Sequence, residues 1–265
     1  MAHTPSPARA ASRRLLSQLL FVAAVIAIWA LVRAANVMTE DALPGPVATL
    51  KAIVANLSDG EYWTAIADTL RSALGGLLAA IVVGVPIGLV TGTYALAERS
   101  SRLVVEFGRS FPVIAILPVM LLVMGSSLEM KGVVVFVACV FPLIIQAQYG
   151  AASVGEAVNE TVRSYRIPRL LRFRRVVLPC AAPSVMTGIR LASAVSVLVA
   201  VGVEILTTVP GMGHMVVQSQ LDENSANAFA YIFTAGAVGF TINRIAQLVE
   251  ARVLAWRPPP NAGDE

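Results

Sequence analysis

The sequence has few charged residues, and only two of its basic residues are lysines. Charged residues make up 14% of the 265 positions, whereas about a quarter of a typical soluble domain is charged. Hydrophobic residues make up 57%. This balance excludes an ordinary soluble globular domain and indicates an integral membrane protein with a single membrane domain.

The scarcity of lysine also excludes an ATP-binding loop of the GxxxxGK[ST] type. Lys51 follows Leu50 and Lys131 follows Met130, so neither lysine has the glycine that this phosphate-binding loop requires. The hydrolase motifs GxSxG and HExxH are missing too, and the two cysteines have no metal-ligand spacing. We therefore expect no enzymatic activity, no bound cofactor and no metal in this chain.

Apolar runs of about 20 residues, enough to cross a bilayer, recur along the sequence. They predict an all-α integral membrane protein with about six spans, at residues 15–35, 72–95, 108–128, 132–154, 182–206 and 226–250. A signal peptide has a shorter apolar core of about 7–15 residues, so we interpret the first run as a retained span. The spans form one domain over residues 15–257, between an N-terminal tail at 1–14, expected to be disordered, and a C-terminal tail at 258–265.

Basic residues are distributed unevenly between the two sides of these six spans. With an internal N-terminus, sixteen Arg residues fall on the cytoplasmic side and four Arg or Lys residues on the other. Cytoplasmic loops of membrane proteins carry such an excess. The distribution predicts that both termini are cytoplasmic, and its spread over several loops argues against nucleic-acid binding.

Small residues and prolines distinguish two of the predicted spans. Glycines in the second span predict close packing against another helix; they are Gly75, Gly76, Gly84, Gly88 and Gly92. Pro112 and Pro118 interrupt the third predicted span, and prolines within a helix usually mark kinks.

A dense basic loop, Glu156 to Pro179, lies between the fourth and fifth spans and carries six arginines. Val158, Val162 and Tyr165 recur at helical spacing, and the helix should end before Pro168, where a second helical piece can begin. The loop thus predicts a helix, a sharp turn and a second helix on the cytoplasmic face. On this pattern alone, contact of the arginines with lipid phosphates explains the loop as well as a contact with a protein partner does.

Residues 159–179, NETVRSYRIPRLLRFRRVVLP, resemble the EAA loop of ABC importer permeases, whose pattern is EAA, three residues, Gly, nine residues, Ile, one residue, Leu-Pro. Glu160 takes the glutamate position, Val176 the isoleucine position and Leu178-Pro179 the terminal pair. Arg166 stands where the pattern has glycine, so that either an arginine adopts the conformation of the glycine or the turn differs.

Further segments are similar to permeases for nitrate, sulfonates, taurine and related solutes. They are Leu43–Pro46, Asp68–Gly92, Phe111–Gly125, Val209–Val216 and Asn243–Arg257. The resemblance implies the permease subunit of an ATP-driven importer in the bacterial inner membrane, carrying a small, sulfonate-, nitrate- or taurine-like solute. It implies as partners two ATPase subunits holding ATP and Mg, a second permease copy forming a homodimer, membrane lipid and a soluble or lipid-anchored solute-binding protein.

The resemblance also implies roles for particular residues. The basic loop would hold the coupling helix that contacts the ATPase. The candidate contact residues are Glu160, Thr161, Arg163, Ser164, Tyr165, Arg166, Ile167 and Pro168. The later arginines, Arg172, Arg174 and Arg175, are assigned to lipid contact and orientation.

The third and fifth spans would line the solute pathway, through Pro118, Met120, Met124, Ser193, Ser196 and Ala200. Glu204, near the outer end of the fifth span, matches a family glutamate and is either a structural residue satisfied by an interfacial partner or a solute contact. Two alternatives stay open: a secondary transporter or channel that uses no ATPase, and a scaffold subunit without a pathway.

Overall fold

The computed structural model describes residues 7–35, 39 and 42–256, and these residues form helices joined by short connections. They divide into two compact units, one within Met1–Asp59 and Val216–Ile232, the other within Gly60–Met215 and Phe233–Glu265. Within the described residues, five helices are long and apolar enough to cross a membrane, and counting one bent pair of helices as a span gives six. The predicted all-α membrane fold is therefore confirmed.

The first unit contains α1 (Pro7–Ala34) and α2 (Pro46–Asn56). The Trp29 indole N–H donates to the Pro44 carbonyl at 3.1 Å and so ties α1 to the turn before α2. α1 includes residues 7–14, so the prediction of a disordered tail is wrong for these residues. They form helix because Ala and Arg favour it and Pro is accepted in a first turn. Arg257 and the predicted C-terminal tail at 258–265 lie outside the described residues.

The second unit contains most of the helices. In chain order they are α3 (Gly60–Thr93), α4 (Ala95–Ser110), a 3₁₀ turn at Val113–Ile116, α5 (Leu117–Met124), α6 (Leu128–Ala152), α7 (Glu156–Ser164), α8 (Arg169–Arg172), a π-helical turn at Phe173–Val177 and α9 (Leu178–Leu206). α10 (Met212–Leu221) and α11 (Ser225–Val253) complete the chain and contribute residues to both units.

The segment predicted as the third span, residues 108–128, bends sharply at the first of the two prolines that interrupt it. α4 meets the segment Val113–Met124 at an angle of 86°, and Phe111 between them is extended, with φ −73° and ψ 125°. Pro112 is the cause, because proline disfavours helical geometry in the residue before it. α5 has 8 residues, which span only about 12 Å of a hydrocarbon core about 30 Å thick.

A seam of glycines brings the backbones of α3 and α6 into direct contact. A Cβ atom added at any of four α3 glycines would lie within 3.0 Å of a carbonyl oxygen of α6. They are Gly76, Gly84, Gly88 and Gly92. The predicted close packing is confirmed for these four, whereas a Cβ at Gly75 would have no atom within 4 Å. Around the seam, α3, α6 and α9 share a buried core that includes Leu77, Leu143 and Ala192.

Candidate functional site

The segment after α6 folds as the predicted helix, turn and second helix. α7 ends at Ser164, and the turn closes where the backbone N–H of Ile167 donates to the Val162 carbonyl at 3.1 Å. Pro168 is extended at ψ 143° and starts α8. Arg166 has φ +49°, a left-handed conformation that costs a non-glycine residue roughly 1–2 kcal/mol. The glycine position of the motif thus demands positive φ here, and an arginine occupies it.

The predicted apolar stripe of α7 does not bury as one face. Val162 is buried, whereas Val158 is 43% exposed and Tyr165 is 79% exposed. Val162 therefore serves the packing of α7, and the large Tyr165 ring is left without cover in the structure. An exposed aromatic at the end of a short helix is the kind of side chain that anchors a protein contact.

The residues predicted to contact a partner lie together on α7 and the turn that follows it. Ile167 is half-buried and the others are exposed; the exposed ones are Glu160, Thr161, Arg163, Ser164, Tyr165, Arg166 and Pro168. We refer to these seven exposed residues as the α7 surface. It combines one aromatic ring with charges of both signs, and its role in binding a partner stays a prediction at this point.

Arg172 holds the two helices of this segment together. Its Nη2 donates to the Asn159 side-chain oxygen at 2.9 Å, and the Asn159 amide donates to the Val154 carbonyl at 3.1 Å. The assignment of Arg172 to lipid contact therefore needs correction, because its guanidinium fixes α8 against α7. Arg174 and Arg175 are exposed, and their assignment to lipid contact stays a prediction.

A buried ion pair lies at the other end of α6, near its first turn. Lys131 Nζ donates to Glu204 Oε1 at 2.5 Å, and both side chains are fully buried. Lys131 also donates to the Asp68 carbonyl at 3.2 Å and to the Pro210 carbonyl at 2.9 Å. All three ammonium donors are therefore used, which offsets part of the cost of removing the charge from water.

The Glu204 carboxylate is satisfied as completely as its lysine partner. Its Oε2 accepts from Thr69 Oγ1 at 3.0 Å and from the backbone N–H of Gly213 at 2.8 Å. A Cβ added at Gly211, where φ is +153°, would collide with the carboxylate. The network joins α3, α6, α9 and the start of α10, so of the two roles considered for Glu204 the structure shows the paired, structural one.

The candidate pathway residues fall into two groups. Pro118 and Met124 are exposed and Met120 is half-buried, all on α5. Ser193, Ser196 and Ala200 are buried in α9, where the Ser193 hydroxyl donates to the Ile189 carbonyl at 2.7 Å. In this conformation the α9 group contacts protein rather than a surface, and the pathway role stays a prediction.

Arg190 of α9 forms an ion pair with another helix. Its Nη1 lies 3.1 Å from Glu250 Oε2 of α11, and the arginine side chain is 36% exposed. Such a half-exposed pair stabilises by at most about 1 kcal/mol. In the part of the chain that the structure describes, no cluster of His, Cys, Asp and Glu is arranged to hold a metal ion.

Comparison with known proteins identifies the family. Residues 84–255 match the family model of the binding-protein-dependent transport system inner membrane component. The chain belongs to this family of ABC importer permeases. As in the rest of the family, it is a multi-pass membrane subunit that works with an ATPase partner and a binding protein, and ATP hydrolysis takes place on the ATPase.

Several curated permeases are similar over most of their length. A putative aliphatic sulfonates transport permease of Bacillus subtilis (strain 168) is 27% identical over 90% of this chain and 87% of its own. The nitrate import permease of Leptolyngbya laminosa is 28% identical over 74% and 70%. A solved structure, the inward-facing MetNI methionine ABC transporter, has the same fold, with a TM-score of 0.62 at 16% identity over 73% of this chain and 96% of that one.

Proposed function

We propose that two identical copies of this permease form the pathway for a small anionic solute and are driven by two ATPase subunits that dock on the α7 surface. The observation that carries this proposal is the exposed, mixed-charge α7 surface, on which the Tyr165 side chain is 79% exposed. A solute-binding protein would deliver the solute at the opposite end of the bundle.

The α7 surface has the composition of a docking site. Tyr165 supplies an aromatic anchor, and Glu160 and Arg163 supply opposite charges that fix the orientation of a partner. The hydrogen bond from Arg172 to Asn159 makes α7 and α8 move together, so a displacement of the docked ATPase would be transmitted to α9. Rigid-body movement of this kind is a common route to alternating access.

The orientation follows from the same surface. The six arginines from Arg163 to Arg175 support an orientation in which this end of the bundle faces the cytoplasm of a bacterial cell, at its inner membrane, and in this orientation both termini would be cytoplasmic. Lys131 and Glu204, at the other end of α6, then lie towards the outside. The ATPase would meet the permease only at the arginine-rich end.

Substitutions on the α7 surface test the docking. In proteoliposomes that contain the permease, its ATPase and the binding protein, Tyr165→Ala and Glu160→Lys should leave the fold intact but lower solute uptake per ATP hydrolysed. Loss of a central interface anchor costs at least about 2 kcal/mol, which is roughly a thirtyfold weaker contact. Normal coupling in both variants would contradict the proposal.

Matched controls separate docking from a general surface effect. Tyr149→Ala removes another exposed tyrosine, 63% exposed on α6, and Glu61→Lys reverses an exposed charge in the first turn of α3. Both controls should couple as the wild type does. A comparable loss of coupling in the controls would show that the α7 surface is not special.

The solute class rests on the relatives. Permeases similar to this chain are named for nitrate, aliphatic sulfonates and bicarbonate, all small anions. Calorimetric titration of the partner binding protein with nitrate, taurine, an alkanesulfonate and bicarbonate tests the class, and binding of a cation or sugar instead would refute it. Uptake driven by an ion gradient, with no ATPase co-purifying, would favour the secondary-transporter alternative.

A further inference from the structure

An open groove runs between α3 and α6 at the end of the bundle that carries Lys131. Its volume is about 400 Å³, and its floor is formed by small and apolar residues; they include Gly75, Ala79, Gly132 and Phe136. Two charged residues, Arg71 and Glu129, stand at its rim. The groove is separate from the α7 surface, which follows the other end of α6.

Packing does not require two of the three glycines that line this groove. A Cβ at Gly75 would meet no atom within 4 Å, and one at Gly132 would make a single ordinary contact at 3.9 Å. The neighbouring Gly76 is different, because its Cβ would lie 2.5 Å from the Gly132 carbonyl oxygen. A helical glycine costs about 1 kcal/mol relative to alanine. At Gly75 no close packing compensates for this cost. The absence of a side chain there leaves the groove open.

The charges at the rim lie where the membrane surface should be. Arg71 directly precedes an uncharged run that lasts from Ser72 to Ala97, and Glu129 lies three residues before the uncharged run of α6 that begins at Gly132. The floor therefore lies at the depth of the acyl chains and the rim at the depth of the headgroups. A ligand that matches both must be charged at one end and apolar along the rest.

The rim can bind both a negative and a positive group. The Arg71 side chain is 73% exposed and bonds Asp68 through Nη1 at 3.1 Å, its only hydrogen bond to the residues that the structure describes. Its remaining guanidinium donors can therefore bind a phosphate. Glu129 is exposed and can accept from an ammonium group. We propose that this groove binds an aminophospholipid, with the phosphate on Arg71, the ammonium on Glu129 and an acyl chain along Gly75 and Ala79.

Lipid retention by the purified permease–ATPase complex tests this assignment. Native mass spectrometry would follow titration with dioleoyl phosphatidylethanolamine and, in parallel, dioleoyl phosphatidylglycerol, which lacks the amine. We expect the wild type to retain phosphatidylethanolamine about tenfold more tightly than phosphatidylglycerol, since one charge-assisted hydrogen bond is lost with the amine. Gly75→Leu introduces a side chain into the groove, at a position where an added Cβ meets no atom within 4 Å, and should abolish the preference. The matched control is Gly236→Leu, at an exposed α11 glycine that also has no atom within 4 Å of an added Cβ, and it should retain the lipid.

Two charge variants assign the headgroup contacts. Arg71→Gln should weaken the binding of both lipids, whereas Glu129→Gln should weaken that of phosphatidylethanolamine alone. Equal retention of the two lipids by the wild type, or unchanged retention in Gly75→Leu, would overturn the proposal. So would covalent dimers of Ala79→Cys formed in the membrane in a Cys180→Ser background, because they would place a second copy over the groove; Cys180 is replaced because it is exposed.

Discussion

The buried pair of Lys131 and Glu204 allows the strongest stability prediction. Replacing Lys131 by methionine keeps much of the side-chain volume but leaves a buried carboxylate with two of its three donors. It also removes the donor from two backbone carbonyls, which Lys131 reaches at 3.2 and 2.9 Å. Breaking a fully buried pair from one side typically costs 3–5 kcal/mol, so Lys131→Met should destabilise the permease by about that amount.

A double-mutant cycle separates the pair from its surroundings. Glu204→Gln should also be destabilising. If the amide oxygen accepts from Thr69 and Gly213, the amide N–H₂ faces the Lys131 ammonium, which is also a donor. In Lys131→Met/Glu204→Gln, the amide oxygen can keep the first two bonds while the amide N–H₂ donates to a freed carbonyl. We expect the double variant to be at least about 2 kcal/mol more stable than the sum of the single losses predicts.

The assay is reversible unfolding of the purified permease in mixed micelles, followed by far-UV circular dichroism. Arg102→Ala is the reference, because it removes an exposed 3.1 Å pair with Glu106, with side chains 69% and 51% exposed, and should change stability by less than about 1 kcal/mol. Strictly additive single losses, or a Lys131→Met loss no larger than the reference, would show that the network does not stabilise the fold.

Two further predictions concern the backbone. Arg166→Gly should remove the strain of the left-handed conformation and leave the protein as stable as the wild type or up to about 1 kcal/mol more stable. Arg163→Gly, inside α7, should lower the stability by about 1 kcal/mol. Hydrogen exchange of the α7 amides distinguishes the two variants. Gly88→Val should separate α3 from α6 and sharply reduce the yield of monodisperse protein in size-exclusion chromatography, and Gly236→Val should not. Equal yields for the two valine variants would contradict the close contact.

The long spans could be predicted because membrane crossing imposes a simple requirement on sequence. α3, α6, α9 and α11 each contain an apolar run of sufficient length, and this property does not depend on what they pack against. The third span could not be predicted in the same way. Composition records that residues 108–128 are apolar on average, but the turn at Pro112 is a change of direction, which hydropathy does not encode.

The site residues divide along the same line. The turn after α7 depends on neighbouring residues alone, so Arg166 at the glycine position and the proline two residues later predict it from the sequence. Lys131 and Glu204 are 73 residues apart, and their pairing depends on how three helices assemble. The sequence does contain one indication of this pairing. Under the predicted topology, Lys131 and Glu204 interrupt apolar stretches at the same end of the protein, and opposite charges at the same depth in a membrane usually pair.

The continuity of α8, the π-helical turn and α9 joins the two ends of the protein mechanically. Arg169–Leu206 is helical for 38 residues, about 57 Å, from the arginine-rich turn to the buried glutamate. A tilt imposed at one end of such a rod displaces the other end in proportion to its length, with no relay of side chains between them. The widened turn at Phe173–Val177 interrupts the regular α-helical hydrogen bonding and is therefore where this rod would bend first.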